Sequence, residues 1–305
     1  MDMTQAVIIT IITAATPLLL AALGELIVER AGVLNLGLEG MMATGAACGF
    51  AAATLTESTG LGVVAAILSA MLLASLFGFV TLTLGANQVA SGLALTIVGL
   101  GLSGLIGAGF VGTSRTAVAG LKIEGLSDLP GFGKILFGQD PFVYASWGLT
   151  LLCIIFLRWT RAGLIVRSVG ENQASAHAIG LPVLKIRFWA VLFGGACAGL
   201  AGAYLSLVYT PFWSPGMTAG RGWIALALVV FASWFPLRLL LGAILFGGAT
   251  VLQLHAQAAS LGLPSQLLSA LPYLATLLAL VLMSLGRRGG TAAPGSLGHS
   301  FVPDR

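Results

Sequence analysis

Five polar or charged side chains lie close together near the start of an otherwise apolar chain: Glu25, Glu29, Arg30, Asn35 and Glu39, in and just before the stretch "RAGVLNLGLEGMM". Carboxylates and amides inside a membrane can carry an ion or proton, or hydrogen-bond a polar solute, and they cost too much to be kept without such a task. Hydropathy leaves two interpretations open. The stretch is either a solvated cytoplasmic hairpin or a broken helix whose glycines free backbone groups to face a cavity near the midplane.

The sequence offers no pattern for catalysis, nucleotide binding or a metal. The histidines fit neither a zinc-protease nor a nucleophile-elbow motif and are far apart: His177, His255 and His299. A GxGxxG match at Gly99 to Gly104 lies inside an apolar span, with no preceding strand, and we interpret it as chance. The cysteines are too widely spaced for a metal site or a disulfide framework. We therefore expect no enzyme activity, and no metal or cofactor held by this chain.

Composition places these residues in a membrane. Of the 305 residues, 58% are hydrophobic and 8% are charged, and the mean hydropathy of +1.02 lies outside the range of soluble domains. The apolar runs are continuous rather than alternating, which favours helices over a barrel. The net charge of +4 is spread beside these runs rather than gathered in a patch, so we expect no nucleic-acid partner.

We predict an all-α membrane bundle of about nine spanning helices, with eight to ten as the range. The segment from Gly222 is short for a crossing, so a broken or re-entrant helix is predicted there if its irregular backbone is buried or faces water. The predicted spans are 6–27, 38–55, 61–84, 88–111, 141–157, 188–209, 222–235, 239–256 and 266–285.

The distribution of Lys and Arg predicts the orientation. With loop 158–187 in the cytoplasm, ten of the 14 basic residues lie inside and four outside, so the amino terminus is expected outside and the carboxyl terminus inside. Residues 1–286 form the predicted transmembrane domain. Residues 287–305 are rich in Gly, Pro and Ser and are expected to be a flexible cytoplasmic tail. The external loop 112–140 is either a partner surface or a solvated connection.

Loop 158–187 contains a predicted short helix within "ENQASAHAIG". Glu171 and Asn172 suit its start, and Gly180 followed by Pro182 suits its end. Its few apolar residues could not hold such a helix in water, so another surface must pack on it.

Several segments resemble, in order, the permeases of the branched-chain amino acid, ribose and nucleoside import group of ABC transporters. They are "GVLNLGLEGMMATGA", "VGENQASAHAIGLPVLKIRFWAVLFGGACAGLAGAYLSL", "MTAGRGWIALALVVFASWFP" and "LPYLATLLALVLM". The second and third look most like the nucleoside or simple-sugar subgroup. In the amino-acid branch the first motif usually reads Ile-Asn-Phe-Ala-His-Gly. Asn35 matches it but Leu38 stands in place of the histidine, which makes the amino-acid branch a poorer match.

The resemblance implies a bacterial inner-membrane subunit that dimerises with a second permease or with itself. It implies a cytoplasmic ABC ATPase that uses the ATP, and a substrate-binding lipoprotein or periplasmic protein. It also implies that the short cytoplasmic helix is a coupling helix seated in the ATPase. The residues that match that stretch are Gly170, Glu171, Asn172, Ala176, His177 and Gly180.

The resemblance further implies a pathway along a broken second helix, closed from outside by the segment "TAGRGW". The candidate pathway residues are Asn35, Gly37, Glu39, Glu25, Arg221 and Trp223. Trp213 and Trp223 could stack on a base or simply anchor at the interface. Three alternatives to a nucleoside or sugar importer stay open: a branched-chain amino acid permease, a secondary transporter coupled to ions through Glu25 or Glu39, and a non-transporting scaffold.

Overall fold

The computed structural model describes residues 3–121, 125–127, 133–258, 270, 274, 281 and 293–302. Within these residues the regular elements are all helices, and the extended pairing found there is a single bridge between Ser114 and Phe212. The predicted all-α class is therefore confirmed.

Eleven helices follow one another along the described chain. In order they are α1 (Met3–Arg30), α2 (Leu38–Thr56), α3 (Thr59–Gly78), α4 (Gln88–Gly107), α5 (Gly133–Phe137), α6 (Pro141–Trp159), α7 (Arg161–Glu171), α8 (Gln173–Ala178), α9 (Val183–Tyr204), α10 (Arg221–Phe231) and α11 (Pro236–Ala258). Helices α3 and α9 each continue into a π-helical turn, over Phe79–Thr83 and Leu205–Tyr209.

Six of the described helices are long and apolar enough to cross a membrane: α1, α3, α4, α6, α9 and α11. Helix α2 lies where another span was predicted, but its acidic residue and many small residues make it less apolar. Helix α10 has only 11 residues. The predicted ninth span, 266–285, lies outside the described residues except for Ala270, Leu274 and Val281, each of which is helical. The count of nine stays a prediction.

Helix α9 forms the centre of the bundle because its small residues admit neighbours at backbone distance. A Cβ at Gly202 would collide with the Met42 carbonyl oxygen of α2, and one at Gly195 would collide with Ala74 of α3. Small residues at a helix interface let the two backbones approach this closely. Helices α1, α2 and α3 all pack around α9 for this reason.

The structure of the polar stretch between α1 and α2 contradicts the solvated hairpin and does not confirm the broken second helix. Residues 31–37 are non-helical, and Glu29 at the end of α1 is only 1% exposed, so the solvated hairpin is wrong. Helix α2 is continuous from Leu38 to Thr56, and the break in helical structure falls before it. A broken second helix is thus not confirmed.

The described part of the carboxyl-terminal segment, residues 293–302, lies against the protein rather than away from it. Fully buried Arg187 donates hydrogen bonds to the carbonyl oxygens of Ala31, His299 and Ser296, at 3.0, 3.1 and 3.5 Å. Gln88 at the start of α4 also donates to the His299 carbonyl, at 3.5 Å. Over these residues the chain differs from the flexible end expected for 287–305. The remainder of that tail lies outside the described residues.

Arg30, Gln88 and Arg187 mark one end of the spanning helices. Helices α7 and α8 and residues 293–302 lie at this same end, which we call the α8 end. The other end, where Ser114 pairs with Phe212, is called the opposite end.

Candidate substrate pathway and coupling site

Asn35 shapes the buried connection between α1 and α2. Its side-chain oxygen accepts a hydrogen bond from the Gly37 backbone N–H at 3.0 Å, an Asx-type turn that leads the chain into α2. Its own backbone N–H donates to the Glu25 carboxylate at 3.1 Å. Asn35 and Glu25 are both fully buried. Two backbone N–H groups of the connection therefore have buried side-chain acceptors, as a non-helical segment inside a membrane protein requires.

Glu39, in the first turn of α2, holds the start of α10. One carboxylate oxygen accepts from the Gly220 N–H at 2.8 Å, and the other accepts from the Gly222 N–H at 2.6 Å. The first backbone N–H groups of a helix have no partner within the helix, and the helix dipole favours a negative charge there. Glu39 supplies both the acceptors and the charge, across 181 and 183 residues of sequence.

The Glu39 contact lies about half-way along the spanning helices. At 1.5 Å per residue α10 is about 16 Å long, about half of a ~30 Å hydrocarbon core. Its last turn leads to Trp234, whose carbonyl accepts from Arg30 at the α8 end. Helix α4 gives the same depth. Gly40, next to Glu39, packs against Gly99, which lies about 16 Å along α4 from Gln88 at the α8 end. Both distances place the start of α10 at mid-depth, so α10 is a half-helix.

The chain reaches this half-helix from the opposite end through residues 210–220, which are irregular. Trp213 in this segment is buried against Gly107 of α4, and its indole N–H has no hydrogen-bond partner among the described residues. Arg115, from the loop after α4, donates its backbone N–H to the Pro211 carbonyl at 2.9 Å. The described chain therefore runs from the opposite end to mid-depth as an irregular segment and continues as α10 to the α8 end. It does not return to the end from which it entered, so the described residues do not show a re-entrant helix.

Arg221 and Trp223 lie at the first turn of α10. The Arg221 guanidinium donates to the carbonyl oxygens of Met217 and Thr218, and it lies 5.6 Å from the Tyr209 ring centroid. The Trp223 side chain is 37% exposed. The structure thus brings Arg221, Trp223 and Glu39 to one place. Glu25 and Asn35 form a second polar group along the same connection.

The other end of α10 is also held by an acidic side chain. Trp234, two residues beyond the helix-terminating Ala232, donates its indole N–H to the Glu29 carboxylate at 2.6 Å. Ser233 and Trp234 both adopt the left-handed conformation, with φ of 53° and 59°. This costly turn places the indole and the Trp234 carbonyl against the end of α1.

The predicted short helix of loop 158–187 is confirmed as α8. The Asn172 side chain caps it by accepting from the Ser175 N–H at 2.9 Å, and Gly180 follows its end with a φ of +85°. Ala176 is buried against Val169 and Val183. The described carboxyl-terminal segment supplies part of the packing surface, since the Phe301 ring lies 5.3 Å from the His177 ring.

Gly170, in the last turn of α7 just before α8, lies against the end of α1. A Cβ there would collide with the Arg30 carbonyl oxygen, so only glycine allows α7 to lie this close to the end of α1. The Gly170 carbonyl in turn accepts from the Ser296 N–H at 2.8 Å, and the Ser296 hydroxyl accepts from the Gln173 N–H at 3.0 Å. Glu171 completes α7 beside Gly295.

Comparison with known proteins identifies the family. The pattern of the family described as branched-chain amino acid transport system, permease component, matches residues 7–285. The chain belongs to this permease family. Its relatives include a putative glucose ABC transporter permease of Haloferax volcanii, 46% identical over 83% of this chain and 78% of the relative. A guanosine ABC transporter permease of Bacillus subtilis is 33% identical over 99% of both chains. A nucleoside ABC transporter permease of Lactococcus lactis is 28% identical over 99% of this chain and 98% of the relative.

The predicted resemblance is therefore confirmed, including its nucleoside and sugar subgroup. These relatives are transport permeases rather than enzymes, which agrees with the expected absence of catalysis. Sequence reasoning missed the two contacts that fix α10, at Gly222 and Trp234. The signal for them was weak: two glycines flanking Arg221 and a tryptophan after a short apolar segment.

Proposed function

We propose that this permease is a membrane subunit of an ATP-driven importer and forms the pathway for nucleosides or, alternatively, simple sugars. One observation carries the preference for a neutral solute. The positive end of the half-helix α10, which would otherwise attract the carboxylate of an amino acid, already holds the Glu39 carboxylate. The guanosine, nucleoside and putative glucose permeases among the relatives support the same choice.

The proposed pathway passes the mid-depth start of α10. Arg221 and Trp223 lie on its first turn, and the backbone there is irregular, as in the discontinuous helices that form transport sites. The exposed Trp223 ring could stack on a base, and hydroxyls of a sugar ring could pair with Arg221. Glu25 has one buried oxygen without a hydrogen-bond partner among the described residues, which is a further acceptor for a solute near Asn35. Gly37 and Glu39 give the pathway its backbone shape.

Coupling to ATP hydrolysis is proposed to pass through α8. Its contacts form a continuous series: α7 touches the end of α1 at Gly170, the end of α1 holds Trp234, and Trp234 ends the α10 segment. A cytoplasmic ATPase that moves α8 would therefore move α10 as well. A second permease chain, either different or identical, and an external binding protein complete the proposed system.

The proposed orientation in the bacterial inner membrane follows from the basic residues. Ten of the 14 Lys and Arg would lie on the cytoplasmic side with α8, which places the amino terminus outside and the carboxyl terminus inside. The ion-coupled alternative loses support because the relatives are ABC transporter permeases, and its form through Glu39 loses more because both Glu39 oxygens are bound to backbone N–H groups.

Uptake into vesicles tests the proposal. The chain would be reconstituted with its partner permease, ATPase and binding protein, and uptake of labelled guanosine, glucose and leucine measured with ATP inside or outside the vesicles. We expect guanosine or glucose to enter only when ATP is available to the ATPase. Uptake without ATP hydrolysis, or uptake of leucine alone, would refute the proposal. Trp223→Leu then separates the two solutes, since loss of stacking should raise the KM for guanosine and leave that for glucose unchanged.

A further inference from the structure

A pocket lined by arginines lies at the α8 end, away from the start of α10. It has a volume of about 140 Å³ and lies between the end of α6, the middle of α7 and the start of α11. It is lined by Arg30, Ile154, Leu157, Arg158, Arg167, Trp234, Phe235, Pro236 and Leu237. None of these residues has a role in the proposed pathway except Arg30 and Trp234, which hold the end of α10.

The positive charge in this pocket is only partly balanced by the described residues: the Glu171 carboxylate attracts the Arg30 guanidinium, whereas Arg167 repels it. Arg158 and Arg167 make no ion pair with them, and the Arg167 Nε–H is buried with no hydrogen-bond partner there. The Arg30 guanidinium donates to the Trp234 carbonyl, which is a neutral acceptor. The buried Glu29 carboxylate accepts from the Trp234 indole and makes no ion pair with Arg30 among the described residues. Like charges held this close repel each other in a partly buried site unless an anion joins them.

The start of α11 adds to the attraction for an anion. Pro236 and Leu237, the first two residues of this 23-residue helix, lie on the pocket wall. Pro236 has no backbone N–H, and that of Leu239 is bonded to the Phe235 carbonyl, so the free donors of this turn are the N–H groups of Leu237 and Arg238; these donors and the helix dipole favour a negative group. Arg238 follows on the same turn, and its guanidinium lies 4.8 Å from the Phe235 ring centroid. Guanidinium groups and a helix start together are the usual partners of a phosphate.

The surroundings indicate that this phosphate belongs to a lipid. Trp159, the last residue of α6, and Trp189, in the second turn of α9, are 76% and 70% exposed, as tryptophans are near a membrane interface. Leu237 on the pocket wall is 58% exposed, and Leu152 on α6 is 62% exposed, so an apolar surface continues from the pocket toward the hydrocarbon. A basic pocket between helix ends at the interface matches the chemistry of anionic headgroups.

We propose that this pocket binds the phosphate of an anionic phospholipid. The phosphate would lie between Arg158 and Arg167 at the start of α11, with its acyl chains along α6 and α11. The bound headgroup would neutralise the guanidinium groups beside Trp234, and so stabilise the turn that ends α10.

Lipid binding to the purified full-length chain tests this site. Native mass spectrometry would count phosphatidylglycerol and phosphatidylcholine molecules retained by the wild type, Arg158→Gln, Arg167→Gln and the control Arg161→Gln. Arg161 is exposed, lies on the same helix as Arg167 and does not line the pocket. We expect each pocket variant to retain phosphatidylglycerol about fivefold less strongly, the loss typical of one basic contact, and Arg161→Gln to behave as the wild type. Phosphatidylcholine retention should not change.

The same experiment distinguishes the two sources of a phosphate. Millimolar inorganic phosphate should not displace phosphatidylglycerol if the acyl chains contribute to binding. Displacement by phosphate alone would assign the pocket to a free anion and overturn the lipid proposal. Equal retention by Arg167→Gln and Arg161→Gln would also overturn it. Thermal melting without lipid shows whether a variant is folded, and Arg158→Gln, at an exposed position, provides the test if Arg167→Gln is not.

Discussion

Replacing Glu39 with Gln should detach the start of α10. The glutamine side chain keeps one acceptor oxygen, but its NH₂ group would face the second backbone N–H. One charge-assisted hydrogen bond, worth about 1.5–3 kcal/mol, is then lost, and a buried N–H is left without a partner. The remaining bond becomes a neutral one. The two N–H groups concerned are those of Gly220 and Gly222, at 2.8 and 2.6 Å from the carboxylate.

We expect the local opening of this turn to become easier by about 3 kcal/mol. Since a factor of ten corresponds to 1.4 kcal/mol, the exchange of the Gly220 and Gly222 amides should accelerate about a hundredfold. Hydrogen exchange read by mass spectrometry on peptides covering 214–224 measures it. Transport should fall in parallel because the half-helix no longer has a fixed position.

Glu57→Gln is the matched control for this experiment. Glu57 lies at the other end of the same helix and is exposed, and its carboxylate accepts no hydrogen bond from the described residues of α2 or α10. The same chemical change there should leave exchange over 214–224 unaltered. Unchanged exchange in Glu39→Gln, or equal acceleration in both variants, would refute the role assigned to Glu39.

Three further substitutions test the packing and the coupling contacts. Gly99→Ala places a methyl group 2.5 Å from the α2 backbone and should lower the melting temperature, whereas Gly101→Ala, with open space around it, should be neutral or stabilise by up to about 1 kcal/mol. Gly170→Ala pushes α7 from the end of α1, so ATP hydrolysis should lose its response to substrate. Gly148 has open space around it, and ATP hydrolysis with Gly148→Ala should respond normally. Equal stimulation of ATP hydrolysis by substrate in the two variants would contradict the coupling contact. Phe301→Ala removes the ring packed on α8, and we expect faster hydrogen exchange in α8 and weaker stimulation of the ATPase. Unchanged hydrogen exchange in α8 would contradict this contact.

Local patterns predicted the elements whose formation is decided locally. The long apolar runs predicted the six described spans, and Asn172 with Gly180 predicted the limits of α8. The short length of the segment after Gly222 predicted that its backbone would need an unusual environment. In each case the physical requirement, hydrocarbon thickness or helix capping, is met by residues within one segment.

The contacts that give the site its shape could not be predicted in this way. Glu39 and Gly222 are 183 residues apart, and a carboxylate can cap any helix start that folding brings to it. Many of the contacts of the carboxyl-terminal segment are made by its backbone, among them the carbonyl oxygens of Ser296 and His299 and the N–H of Ser296. Every residue has a carbonyl group, so nothing in the Gly, Pro and Ser composition distinguished a docked segment from a flexible one.

The two ends of α10 are held by carboxylates from different helices, and this restricts how the pathway can open. Glu29 of α1 holds Trp234, and Glu39 of α2 holds Gly220 and Gly222. A tilt of α10 alone would break one set of these buried hydrogen bonds, at a cost of about 1.5–3 kcal/mol for each bond to a charged group. Of the two contacts that hold α10, a movement of α10 together with the end of α1 keeps the Trp234 contact and changes the Glu39 contact. Because α7 touches α1 at Gly170, that joint movement is the one that α8 can drive, so the Glu39 contact is the place where the open and closed states should differ.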